Sequence, residues 1–315
     1  MAALTQISMR QSFGEKLLEL APTIPKLVVL DADVSTSTQT THFGKKYPER
    51  FFNVGVAEAN MVDIAGGLAT CGLRPVASAF AIFLALKATD QIRNNICYNN
   101  LPVILVGGYA GLSDSFDGAS HQSITDISIM RAMPNMKVIV PVDGPEFARL
   151  LEEALKIDCP VYFRICRNVT TVISSNYTPL PFGKIQVLMQ GTDITIAACG
   201  ITVEMALVAG EQLKLNGISV EVLNVSCIKP IDSETLLKSV TKTKRIITIE
   251  EHTIIGGLGS AVSECLIQNF PVKMEMIGIN DTFTETGPYD LLLEKYGISV
   301  NNIIEKTNNL ILNLI

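Results

Sequence analysis

The sequence predicts an α/β protein made of two parallel-sheet α/β domains. Three observations carry this. Short β-branched apolar runs alternate with segments of helical period almost from end to end, and strands separated by such helices imply βαβ crossovers and a parallel sheet. Only residues 168–184 (NVTTVISSNYTPLPFGK) break the alternation at length, with Thr, Ser, Asn and two prolines, the composition of a linker. The chain of 315 residues, at about 150 residues per domain, gives two units, each long enough to bury its own core. The boundary is therefore expected at residue 175, with domains at 1–175 and 176–315.

Taken in order, the first-domain strands are expected at 27–30, 51–54, 75–79, 103–106, 137–140 and 161–165, all short apolar runs. Helices are expected at 9–20, 57–71, 84–98, 126–133 and 145–156. After the linker the alternation restarts, with strands at 194–198, 220–223 and 245–249 and helices at 203–215 and 233–240. A helix follows at 260–267, and another closes the chain at 301–314, where the asparagines read as a polar helix face. There is no short-period repeat and no low-complexity tract.

Composition narrows the function classes. Net charge is 25 − 31 = −6, which argues against binding a phosphate backbone, since that needs a basic face to release counterions. Charged residues make up 18% against about 25% in an ordinary domain, so part of the surface is expected to be covered by another subunit. The apolar stretch 76–86 falls far short of the roughly 20 residues that span a bilayer, and no basic segment leads into an apolar core at the N-terminus. Neither nucleic acid nor membrane is expected as a partner. The seven cysteines form no CxxC pair; an odd count without a framework fits reduced thiols in the cytosol. With only His42, His121 and His252, a histidine-rich metal site is excluded.

In an open α/β sheet, ligands sit at the carboxyl ends of the strands. Four segments converge there: LDADVSTST, NVGVAEAN, SAFAIF and YAGLSDSFDGASHQ. Glu58 opens a helix among small and apolar neighbours, where a carboxyl group can be desolvated and pass a proton; it reads equally as an acid complementing the helix macrodipole. His121 ends a loop rich in Gly, Ser and Asp, with Asp114 and Asp117 before it. It can donate to a substrate oxygen, or simply precede a helix capped by Ser120 or Ser123. Phe80 and Phe83 fit core packing, or a flat cover for a heterocycle. Arg10, Arg164 and Arg167 can fork onto an anion, although Arg10 also suits a solvated helix face. The turn Gly256-Gly257-Leu258-Gly259-Ser260 resembles a phosphate cradle, but Val262 stands where GxGxxG needs its last glycine, and helix–sheet packing explains it better.

The order of these motifs resembles a known family. FFNVGVAEANMVDIAGGLATCGLRPVASAFAIF, then ATDQIR, then DGASHQSITDISIMRAMPNMKVIVPVDGPEF is similar to the pyrimidine-binding domain of transketolases. EEHTIIGGLGSAV resembles the third domain of the same superfamily, shared with deoxyxylulose-phosphate synthases and 2-oxoacid dehydrogenase beta subunits. The resemblance covers nearly the whole chain and implies thiamine diphosphate as cofactor. It implies that Glu58 hydrogen-bonds the aminopyrimidine ring, that Phe83 stacks on it with Phe80 as the adjacent wall, and that Asp33 belongs to the cofactor-binding set. Asp117 and His121 match the pair that hydrogen-bonds sugar hydroxyls. Arg10, Ser37 and Arg167 match the clamp on the far anionic end of the sugar, and Arg164 is placed with them. At Tyr109 the family usually carries histidine, or arginine in the deoxyxylulose relatives. Tyrosine supplies one neutral donor there and leaves a different anionic tail or acceptor open.

No GDG motif, which in transketolases holds magnesium with a downstream asparagine, occurs anywhere. The resemblance therefore implies a C-terminal subunit of a split transketolase. A separate polypeptide would carry the diphosphate and Mg²⁺ site, and the assembly would be α2β2. The expected reaction is transfer of a two-carbon ketol unit from a ketose phosphate or sulfonate to an aldose, within carbohydrate metabolism such as the pentose phosphate pathway. The alternatives are a 2-oxoacid dehydrogenase beta subunit and a non-catalytic regulatory subunit of the same fold.

Overall fold

The computed structural model describes residues 5–312; the last positions of the helix expected at 301–314 lie outside them. A seven-stranded sheet forms the first domain, in the order Cys227–Lys229, Lys137–Ile139, Val161–Arg164, Ile104–Gly108, Arg74–Phe80, Leu27–Asp31, Phe51–Asn53. The six strands native to this domain run parallel. Leu27–Asp31, Ile104–Gly108 and Val161–Arg164 are buried along their whole length, as strands covered on both faces must be, which explains their unbroken apolar runs. The strand order reverses between Leu27–Asp31 and Arg74–Phe80, and such a switch point opens a crevice at the carboxyl ends.

Helices cover both faces. On one, Met9–Leu20 and Gly144–Ala154 pack Phe13, Phe147 and Phe163 edge to face, at centroid distances of 5.7 and 5.3 Å. Asp143 starts the second of these helices by accepting from the Glu146 N–H at 2.9 Å. On the other face, Glu58–Thr70, Ala81–Lys87 and Asp126–Ala132 bury Met61, Ala65, Leu84 and Met130 in a cluster that continues through Val138 and Val140 into Leu223, Leu236 and Leu258. The apolar core thus runs from one domain into the other.

The second sheet has the order Lys273–Ile279, Arg245–Thr253, Ile194–Ala198, Val220–Asn224, Gln186–Met189. It is parallel except for Gln186–Met189. Both sheets are therefore parallel with one antiparallel edge strand. Cys227–Lys229, from beyond the linker, is that edge in the first sheet.

The differences from expectation have local causes. The helix expected at 84–98 is broken into Ala81–Lys87, Thr89–Gln91 and a wide π-turn segment, Ile92–Cys97. The Thr89 hydroxyl donates back to the Ala85 carbonyl, a competition that bends helices. Within the linker, Val169–Thr171 pairs with Gln6–Ser8, and the Asp143 carboxylate accepts from the backbone N–H of Ile173 and Ser174, both at 2.7 Å. The linker is thereby fastened to the first domain. The edge strands Cys227–Lys229, Gln186–Met189 and Lys273–Ile279 and the helix Tyr289–Lys295 had no distinct apolar period to announce them. All seven cysteines are unpaired, and among the described residues no helix is long and apolar enough to cross a membrane.

Arg164, expected at the substrate, is committed elsewhere. It is 5% exposed. Its Nε donates to Asp126 at 3.0 and 3.2 Å, and its Nη2 donates to the carbonyls of Ser123 at 3.0 Å and Glu251 at 2.8 Å. Tyr162 adds a hydroxyl to Asp126 at 2.8 Å. Arg164 therefore joins the two domains rather than facing the crevice. Removing one partner of a buried pair strands the other's charge, at a cost of about 3–5 kcal/mol. Arg164→Met is expected to lower unfolding stability by that order in urea titrations, and Arg164→Lys, which lacks the planar fork, to recover only part of it.

Candidate active site

The crevice is built from the ends of four strands. After Leu27–Asp31 the chain turns back on itself because the buried Asp31 carboxylate accepts from Val34 N–H at 2.7 Å and from the hydroxyls of Thr38 and Thr40 at 2.7 and 2.8 Å. Burial pushes the Asp31 carboxyl above its ordinary range, against those hydrogen bonds. Asp33 is exposed at positive φ and exchanges two 3.1 Å hydrogen bonds with Asn53. Asn53 also accepts from the Gly55 N–H at 3.1 Å, so this pair shapes the turn that delivers Glu58. Gly55 has φ +76°, which suits a residue without Cβ.

Glu58 opens the helix Glu58–Thr70 and is 3% exposed. Its Oε2 is buried and has no hydrogen-bond donor aligned on it. The Lys87 ammonium lies in ion contact with that oxygen, outside hydrogen-bond geometry. A buried carboxylate needs a partner for its charge, and here that partner is a lysine whose side chain is 46% exposed. The same ammonium stands 5.0 Å from the centroid of the Phe83 ring.

From Phe83 an aromatic row runs across the crevice. His121 meets Phe83 edge-on at 5.2 Å, Phe80 lies near-parallel to it at 6.0 Å, and Tyr109 stacks on Phe80 at 4.3 Å. Tyr109 has φ 57°, a strained backbone for a bulky residue and one that clusters at functional sites. At the far end two guanidiniums face its ring, Arg10 at 4.9 Å and Arg167 at 5.1 Å. Arg10 Nη1 donates to the Tyr109 hydroxyl at 2.9 Å and to the Ser37 carbonyl at 2.8 Å, and Arg10 Nε donates to the Arg167 carbonyl at 3.2 Å. Ser37 thus meets Arg10 through its backbone. Arg167 Nη1 pairs with Asp114 at 3.0 Å.

Asp117 and His121 lie on the loop above this row, with Asp117 exposed and His121 half-buried. The Ser120 hydroxyl and His121 Nδ1 share a 3.0 Å hydrogen bond. Neither Ser120 nor Ser123 caps the following helix, whose first residue follows Thr125 without a side-chain cap. The loop closes on itself where Gly111 N–H donates to the Ser123 carbonyl at 2.9 Å. The second domain clasps it: Gln122 Nε2 donates to the Glu285 carbonyl at 3.0 Å, and the Gly287 N–H donates to the Ser115 carbonyl at 3.1 Å. Glu251 accepts from the Leu112 N–H at 2.7 Å, and a Cβ on Gly111 would collide with its carboxylate.

Contacts therefore join Glu58, Phe83, Phe80, Tyr109, Arg10, Arg167 and His121 in one row; Asp117 and Asp33 are exposed on the neighbouring loops, and Arg164 is excluded. The sequence reading missed Lys87, Asn53 and Asp31, and noted Asp114 without giving it a role. The Gly-rich turn is not an anion site. Glu250 fills it, accepting from Leu258 and Gly259 N–H at 2.6 and 2.8 Å. Among the described residues, no group of three or more His, Cys, Asp or Glu could hold a metal ion.

The chain matches the family described as the transketolase pyrimidine-binding domain over residues 5–171 and the transketolase C-terminal domain over residues 183–303. It is 46% identical, over 95% of its length and 94% of the relative's, to a protein of Methanocaldococcus jannaschii provisionally named a transketolase C-terminal section. It is 40% identical to the 6-deoxy-6-sulfo-D-fructose transketolase subunit SqwH of a Clostridium species, over 94% of this chain and 92% of that one. A solved structure described as a split gene transketolase, inactive beta4 tetramer, superposes with a TM-score of 0.89 at 42% identity, covering 97% of this chain and 99% of that one. This chain belongs to the transketolase family and carries its pyrimidine-binding and C-terminal domains.

The buried groups of the second domain set a pH dependence. Burial pushes the Glu250 and Glu251 carboxyls up to about 7 from an ordinary 4.5, and pushes His252 down to about 4 from 6.5. Between 4.5 and 7 the folded glutamates bind more protons than the unfolded chain does, so their contribution to stability is lost as pH rises through 7. His252 works the other way, but only below 6.5. The melting temperature is expected to fall from pH 6.5 to pH 8, by on the order of 1 kcal/mol of stability. The fall should shrink in a Glu250→Gln/Glu251→Gln variant; a flat profile in the parent chain would contradict this account.

Proposed function

We propose that this chain is the pyrimidine-binding subunit of a split, thiamine-diphosphate-dependent transketolase. In this reading a two-carbon ketol unit passes from a ketose with an anionic tail to an aldose. The observation that carries it is the buried Glu58 carboxylate, paired with the solvent-exposed Lys87 ammonium, at one end of an aromatic row that ends at two guanidiniums. A flat heterocycle with a ring N–H fits the near end, since Glu58 can accept that hydrogen and Phe83 can cover the ring, with Phe80 beside it. When bound, thiamine diphosphate supplies a carbon nucleophile that it stabilises with its own electronics, while the protein binds and orients.

The remaining roles fall to this chain's polar groups. Glu58 holds a proton at the ring nitrogen it faces. Lys87 must leave the Phe83 face for a ring to lie there. His121 and Asp117 hydrogen-bond the sugar hydroxyls, as donor and acceptor of the loop above the row. Arg10 and Arg167 take the tail, since paired forks suit a tetrahedral oxyanion, and the Tyr109 hydroxyl between them adds one neutral donor. The sulfosugar relative makes sulfonate as fitting a tail as phosphate.

A partner polypeptide would supply the ligands for the diphosphate and Mg²⁺ in an α2β2 complex located in the cytosol. Supporting this, apolar side chains stand exposed on the segments next to the site: Val56 at 72%, Leu86 at 57%, Phe116 at 68% and Phe283 at 86%, with Leu86 and Phe283 lining one hollow. Exposed apolar surface of this kind marks an interaction surface. Without the partner the chain would self-associate without activity, as the name of its 42%-identical structural relative says of that protein.

The test is ketol transfer by the chain assembled with its diphosphate-binding partner. Glu58→Gln is expected to lower kcat at least 100-fold. A ketose without an anionic tail is expected to lose about 100-fold in kcat/KM, since hydrogen bonds to charged groups contribute roughly 1.5–3 kcal/mol each. Unchanged turnover in Glu58→Gln, or lipoamide-dependent turnover of a 2-oxoacid, would overturn the assignment.

A further inference from the structure

Asp114 has no part in the chemistry described so far, yet it is fully buried in the site loop. Its Oδ1 accepts from Arg167 Nη1 at 3.0 Å, while its Oδ2 is buried without a hydrogen-bond donor among the described residues. The carboxyl groups of Asp114 and Asp117 are within hydrogen-bond reach of each other. Two carboxyls can hydrogen-bond only if one carries a proton. The groups facing Asp114 are Asp117 and His121 from its own loop and Arg167 from the segment after Val161–Arg164. Arg167 is 41% exposed at its side chain, faces the Tyr109 ring, and among the described residues its guanidinium hydrogen-bonds Asp114 through Nη1, which leaves its remaining N–H groups for a ligand.

An anion arriving on the remaining N–H groups of Arg167 comes close to the buried carboxylate at its Nη1. Like charges at that range disfavour the ionised carboxyl. The partner for the resulting O–H is already in place in Asp117. We propose that the Asp114–Asp117 pair is a proton-coupled counter-charge to the tail clamp: an anion that engages Arg167 draws one proton from water onto the pair. Asp114 is then a positioning residue. Ionised, it holds Arg167 and competes for it; protonated, it releases that charge to the ligand. This rests on the reading that Arg10 and Arg167 bind the substrate tail. Burial, with Asp117 adding to it, pushes the Asp114 carboxyl up to about 6, while Arg167 and His121 pull the other way. Asp114 therefore loses its proton just below neutrality, where a nearby anion can reverse it.

The consequence is a pH dependence in tail binding that the tail itself does not produce. Sulfate is a suitable probe, because it carries no group that titrates near neutrality. Calorimetric titration of sulfate into the full chain at pH 7, in buffers of different ionisation enthalpy, is expected to register uptake of up to one proton per anion. Affinity is expected to fall from pH 6 to pH 8, by at most tenfold per unit. Asp114→Asn keeps an acceptor for Arg167 and a donor for Asp117, and should bind sulfate with no proton uptake and a flat profile. Sulfate binding by the parent chain without proton uptake would overturn the proposal whether or not the variant folds. So would an uptake that persists in Asp114→Asn. If Arg167→Ala binds sulfate as the parent does, or the parent does not bind it at all, the clamp itself falls and the proton coupling falls with it.

Discussion

One guanidinium, shut away from water, determines how the two domains and the site loop sit together. Arg164 ends a central strand of the first sheet, neutralises Asp126 at the start of the helix Asp126–Ala132, and donates to carbonyls on both sides of the domain boundary. Burial alone would favour losing the charge, but Asp126 and Glu251 outweigh it and hold Arg164 firmly protonated. Ser123, which it holds, closes the loop carrying Asp117 and His121. Glu251, whose carbonyl it holds, reaches the same loop through Leu112. Because a buried charge has few arrangements that satisfy it, this network leaves the loop little choice of position. The second domain thereby gains a role in the site: its strand Arg245–Thr253 and the turn around Glu285 support a loop that it does not itself supply.

The crevice beneath that loop holds two kinds of chemistry. At one end a buried carboxylate, paired with Lys87, stands beside an aromatic face. At the other, two guanidiniums flank a tyrosine whose ring continues the same stack. Phe80 joins the halves, touching Phe83 on one side and Tyr109 on the other. Ring packing along the row, rather than loop conformation, therefore sets the spacing between Phe83 at one end and the two guanidiniums at the other.

Much of this was visible in the residues. The alternation of strand and helix, the linker, and the convergence of four polar segments at the strand ends follow from local periodicity, whereas Glu58, Phe83, His121 and Arg10 each also fitted a structural role and were picked out by the family resemblance. What stayed hidden depends on contacts across long stretches of chain. Arg164 and Arg167 are three positions apart with the same chemistry, and only the depth of the strand end decides that one is buried on Asp126 and the other faces the Tyr109 ring. Lys87 fell in the first turn of the helix expected at 84–98 and drew no notice, because its reach to Glu58 crosses 29 positions. Glu250 sits next to a glycine-rich turn and fills it, turning a phosphate-like motif into a helix cap, which no spacing rule could reveal. The break at Thr89 comes from a side-chain hydrogen bond that propensity alone does not register.

The central claim is that this chain holds the ring end of thiamine diphosphate and depends on another polypeptide for the rest. The most direct measurement is a titration of thiamine diphosphate with Mg²⁺, followed by near-ultraviolet circular dichroism and calorimetry, into this chain alone and into its mixture with the diphosphate-binding partner. The account predicts micromolar or tighter binding by the mixture and none measurable by the single chain. Equally tight binding by the single chain would contradict it, because the diphosphate would then be held by residues assigned here to other work.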